Sequence, residues 1–124
     1  GPLLLYTSDM DLYHKEIGFP AWFSKPTGSI RPNYGNHSKI AAFTDRYGTI
    51  NLPPVIDWSK FEVIEISAIE NQVQKILVKG GSLDQFKDIC IVIVPRTGFV
   101  KTVWVNMKAD THRTLDKSKY KSPS

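Results

Sequence analysis

The chain has 124 residues, of which 41% are hydrophobic; that suffices for one domain with a core and is too apolar for a disordered chain. A net charge of +4 points toward an anionic partner, nucleic acid first. The single cysteine, Cys90, excludes a disulfide framework and a cysteine-built zinc cage.

Gly1-Pro2 without an initiator Met reads as the scar of a cleaved tag, and residues 1–6 lack the basic flank of a signal peptide. Residues 1–35 carry Pro20, Pro26 and Pro32 with Gly18, Gly28 and Gly35. They are expected to form an irregular arm anchored by Trp22 and Phe23, with a short helix or strand near 9–16. Residues 36–48 are predicted as a helix. Asn36 is its expected N-cap and Gly48 its stop, and Ile40, Phe43 and Tyr47 share one face. Pro53-Pro54 makes 49–60 a connector.

Four strands are expected between 61 and 106. In the second, Val73, Lys75, Leu77 and Lys79 alternate with Gln74, Ile76 and Val78. The third, Ile89 to Val94, is apolar on both faces and should be central, with Cys90 buried in it. Pro95-Arg96-Thr97-Gly98 is a hairpin loop. In the fourth strand Val100, Thr102, Trp104 and Asn106 share one face and Phe99, Lys101, Val103 and Val105 the other, with Trp104 read as core. Short links argue for antiparallel order. The expected fold is therefore α+β: a loop-rich and helical N-terminal segment packed on a four-stranded antiparallel meander, then a basic tail over 107–124. From Arg96 onward, seven lysines and arginines face two aspartates, a charge of +5.

No HExxH, GxSxG, P-loop or dinucleotide fingerprint occurs, and no metal site or cofactor is expected. The tail segment Asp110-Thr111-His112-Arg113-Thr114-Leu115-Asp116-Lys117-Ser118-Lys119-Tyr120 gathers an imidazole, cations, hydroxyls and a phenol. Metal-free RNA cleavage needs such groups: a base for the 2′-hydroxyl, cations for the phosphate, and an acid for the leaving oxygen. His37, in the expected first helical turn, would lie where the helix dipole favours an anion. Lys79 ends the second strand toward the edge of Lys101, and Thr102 offers a hydroxyl. His14 has no motif around it and reads as structural or exposed.

The order of a histidine-bearing helix (His37 to Gly48), Asp88 to Val94, Val100-Lys101-Thr102-Val103-Trp104-Val105-Asn106 and the tail motif resembles small phage or toxin-type proteins of the barnase–EndoU–colicin–RelE superfamily of metal-independent ribonucleases. The likeness covers about residues 33–120. It implies an endoribonuclease, toxin-like or phage-encoded, forming a 2′,3′-cyclic phosphate on RNA bound across the sheet. Its implied catalytic residues are His37, His112 and Tyr120: one histidine as base, the other as acid, and Tyr120 placing the substrate or giving a proton. Lys79, Lys101, Thr102, Arg113 and Lys117 would bind substrate. An antitoxin, immunity or assembly protein is the implied protein partner. Cysteine usage fits a reducing compartment, the cytoplasm. No apolar run approaches the roughly 18 residues of a membrane span. Two alternatives stand beside this: a non-catalytic module binding nucleic acid or protein, and a phage structural component using residues 3–35 as an assembly arm.

Overall fold

The β-branched run Ile89 to Val94 forms the heart of a strand that is flanked on both sides, as its two-faced hydrophobicity requires. The structure, a computed structural model, describes residues 10–123; the opening Gly1-Pro2 lies outside them. In chain order it holds β1 (Asp11–His14), β2 (Ser29–Ile30), β3 (Asn33–Tyr34), α1 (Asn36–Phe43), β4 (Ile56–Asp57), β5 (Phe61–Ile69), β6 (Gln72–Gly80), β7 (Lys87–Val94) and β8 (Phe99–Met107). One sheet runs β1-β5-β6-β7-β8-β3, antiparallel throughout except for the parallel β3–β8 pair, and β2 and β4 form a second small sheet.

This corrects the expected α+β fold. The described chain is mostly β, 12% helix and 39% strand, with a six-stranded mixed sheet in place of a four-stranded antiparallel meander. The meander is β5 to β8, and the arm expected to be irregular adds a strand at each edge. β1 pairs with β5, and β3 lies along β8. Both added strands are too short to show a period of two in sequence, and their partners lie some fifty residues or more away.

The sheet has one apolar and one polar face. On the apolar face, Tyr13, Ile66, Ile76, Ile93 and Val100 follow one another across five strands, and Val78, Ile91 and Val103 form the next row. All are buried, and Ile56 and Trp58 pack with them in the core. Each such aliphatic side chain contributes about 1.5–3 kcal/mol on burial. On the opposite face the rows are His14, Glu65, Leu77, Val92, Thr102 and Lys79, Cys90, Trp104. Trp104 thus stands half-buried on the polar face and outside the core. The expected grouping of Val100 with Thr102 and Trp104 fails because Lys101 is an extra residue between the pairs Val92–Thr102 and Ile93–Val100. This bulge turns Val100 inward. Gly80 is needed for close approach: a Cβ there would lie 2.0 Å from the Lys60 carbonyl oxygen.

α1 is shorter than expected. Gly35 is its N-cap and Thr44 its C-cap; Gly48 closes the following turn. The helix docks on β8 through Ser38 and Ala42, while Ile40 is 62% and Phe43 64% exposed. The face that Ile40 and Phe43 share is turned to solvent, because two small residues four apart let the helix backbone approach the sheet closely. Asp45 Oδ1 accepts from the Val105 amide of β8 at 3.1 Å, beyond the reach of β3.

Candidate active site

The tail is fastened to the polar face by specific bonds. Lys79, 6% exposed, donates from Nζ to the carbonyl oxygens of Met107 (2.7 Å) and Asp110 (2.6 Å). The buried ammonium is satisfied by backbone, and it fixes where the chain leaves β8. Glu16 accepts from the Thr114 amide (3.0 Å) and pairs with Lys117 (3.1 Å). The Lys121 amide donates to the Leu12 carbonyl, and its ammonium pairs with Asp11. Tyr120 donates to Glu65 Oε1 at 2.5 Å, and its ring meets the His14 ring edge-on at 5.1 Å. Burial and then the Glu65 carboxylate raise the Tyr120 pKa, so the phenol keeps its proton.

Between tail and sheet lies a cavity of about 410 Å³ lined by His14, Glu65, Trp104, His112, Arg113 and Tyr120, among others. His112 adopts a left-handed conformation (φ 55°), and its amide donates to Asp110 Oδ1 at 2.9 Å. Histidine tolerates this region better than most residues. The Asn106 side chain sets the ring's tautomer. Asn106 Oδ1 accepts from the Met107 amide at 2.8 Å, which leaves Nδ2 to donate to Asp110 Oδ2 (3.0 Å) and to His112 Nε2 (3.1 Å). His112 Nε2 is therefore an acceptor. Burial, then the positive Lys79, lower the His112 pKa below its usual 6.5 against the opposing pull of Asp110. The imidazole is neutral at pH 7 and carries a usable lone pair.

His14 is a second imidazole in the cavity and is 4% exposed. Its Nδ1 accepts from the Glu16 amide at 3.0 Å, so its proton sits on Nε2. Cys90 lies beneath the site, its Sγ 4.0 Å from His112 Nε2. Burial pushes the thiol pKa up to about 12, so no thiolate nucleophile forms.

Of the residues singled out from the sequence, His112, Arg113 and Tyr120 converge on the cavity. His37 does not: it is exposed on α1, which packs against the apolar face. Lys79 acts as the tail's internal clamp, Lys117 is paired to Glu16, and Lys101 is exposed at the β8 bulge. Thr102 shares a row with His14 and Glu65 without lining the cavity. Sequence reasoning missed His14, Glu16, Glu65 and Asn106. The one signal was the Leu12/His14 alternation within β1, too short to set apart from a loop.

The chain matches no protein-family model, no curated protein and no solved structure. The chemistry therefore rests on the cavity itself. Among the described residues Arg113 has no ion-pair partner, whereas Lys108, Lys117 and Lys121 of the tail are each matched to a carboxylate. Lys119, also without a carboxylate, lies over the Tyr120 ring, so Arg113 is the unpaired cation that lines the cavity beside the two imidazoles. No group of three or more His, Cys, Asp or Glu able to hold a metal occurs among the described residues, and no described helix is long and apolar enough to cross a membrane.

Proposed function

We propose that this protein is a metal-independent endoribonuclease of the kind its sequence resembles, acting from the cavity between the tail and the polar sheet face. The observation that carries the reading is the convergence of His112, held as a neutral imidazole, with Arg113 and the Nε2–H of His14. In this reading the substrate's 2′-hydroxyl takes the place of the Asn106 amide at His112 Nε2, and His112 removes its proton. The 2′-oxygen then bonds to phosphorus, the bond from phosphorus to the 5′-oxygen breaks, and the departing oxygen takes a proton from solvent water. Arg113 and His14 hold the charge that grows on the phosphoryl oxygens. Tyr120, tied to Glu65, positions His14 and the tail. His37 takes no part.

The test is incubation of the purified protein with RNA in EDTA, followed by analysis of the product ends. Cleavage to 2′,3′-cyclic phosphates is expected. His112→Asn, which tolerates the same backbone conformation, should lose at least about a hundredfold, while His37→Ala keeps full activity. Intact RNA after incubation with the folded protein defeats the reading.

A further inference from the structure

Beside the cavity, at the end of the sheet where β5 begins and β6 ends, a larger open cleft of about 1070 Å³ runs between the arm and the strands. The two share Asp110 as a lining residue, so the cleft adjoins the candidate site. One wall is the arm, with Phe19 and Phe23 stacked obliquely (5.3 Å, 57°) and half-buried. Lys60 and Lys108 line it as well. Five lysines line the cleft against three carboxylates. Lys15 pairs with Glu62 and Lys108 with Asp88, and the buried Lys79 is spent on backbone. Lys25 and Lys60 are exposed and have no carboxylate partner among the described residues; Lys25 Nζ donates to the Phe61 carbonyl oxygen at 2.5 Å, which leaves two of its three N–H groups for a ligand.

We infer that this cleft is a groove for single-stranded RNA, holding the nucleotides that flank the linkage seated at His112. The inference rests on the nuclease reading for the identity of the polymer. Three observations select a polymer over a small molecule. At about 1070 Å³ the cleft stands at the top of the roughly 300–1,000 Å³ range of small-ligand pockets. It is open to solvent and adjoins the candidate cavity at Asp110. Its walls combine exposed ammonium groups that no carboxylate neutralises with aromatic surface, the pairing that tracks a phosphate backbone while bases stack. Lys15, Phe19, Phe23 and Lys25 of the lining come from the arm, so residues 15–25 supply one wall for substrate.

The test uses a fluorescently labelled 2′-deoxy dodecamer, which lacks the attacking hydroxyl and is not cleaved, and reads binding by anisotropy. The double variant Lys25→Glu/Lys60→Glu should bind it at least about tenfold more weakly. Its log–log salt slope should flatten by about 0.7 for each lost phosphate contact. A circular dichroism melt controls for folding. With cleavable RNA, the ratio of kcat/KM for a dodecamer over a dinucleotide should fall at least fivefold in the same variant. Unchanged dodecamer affinity overturns the groove even if the dinucleotide is cleaved. Binding that weakens as expected in a protein that cleaves neither substrate keeps the groove and defeats the nuclease. Polyglutamate binding as tightly as the dodecamer, with the same loss in the variant, assigns the cleft to an acidic protein and overturns the RNA assignment.

Discussion

The Asn106 amide nitrogen lies 3.1 Å from His112 Nε2 and holds that nitrogen as an acceptor. Because protonation at Nε2 would set two donors against each other, this contact works in the same direction as burial and Lys79, which keep the imidazole neutral. In the nuclease reading the base must be unprotonated. The kcat/KM should therefore be flat above pH 6.5 and fall as pH drops through the lowered His112 pKa. Asn106→Asp replaces the donor by a carboxylate that favours the imidazolium. It should raise the His112 pKa by about one unit or more. A proton NMR titration of the His112 ring checks this without reference to activity, and an unmoved titration curve would sink the assignment of the contact.

Lys79 is expected to be the most costly single position on the polar face. Lys79→Met keeps the aliphatic stem but takes the ammonium from the carbonyls of Met107, which keeps only the Asp110 amide, and of Asp110. The loss should be about 2–3 kcal/mol, read as a lower urea midpoint. Faster hydrogen exchange should appear at the tail amides of His112 and Thr114. A variant as stable as the parent would show that the clamp contributes nothing.

Acid should loosen the tail before it unfolds the sheet. The Glu16 carboxyl is held below its usual 4.5, first by the Lys117 hydrogen bond and then by the Thr114 amide. Asp110 is held below 3.8, chiefly by the His112 amide. Both groups have depressed folded pKa values. Their contribution is complete above about pH 4.5 and is lost as pH falls through the folded values. His112, also depressed, adds a loss that begins below 6.5. Exchange at the Thr114 amide should rise below pH 4.5, and Glu16→Gln should show that rise already at neutral pH. A Thr114 amide equally protected at pH 3 and pH 6 contradicts this.

The orientation of α1 predicts an inverted mutational pattern. Phe43→Lys alters an exposed ring and should change stability by no more than about 0.5 kcal/mol. Ala42→Leu forces new volume between the helix and β8, where Ala42 is 2% exposed. It should cost about 1–3 kcal/mol. Paired thermal melts decide, and a larger loss from Phe43→Lys would put the apolar stripe back inside.

The sequence by itself determined the strands β5 to β8. Long alternating or continuous β-branched runs, such as Ile89 to Val94, state their own period and depth of burial. It also determined that the tail carries the charge and the candidate chemistry, because His112, Arg113 and Tyr120 are close along the chain. Only the tertiary structure decided the rest. Which helix face turns inward depends on how closely α1 can approach β8, and small Ser38 and Ala42 win over larger Ile40 and Phe43. One bulge residue, Lys101, decides which way Val100 points. The partner of the tail, β1 and the turn after it with Glu16, lies about a hundred residues away from it. Four residues of strand carry no signal of that pairing until β5 fixes their register and brings both imidazoles to one cavity.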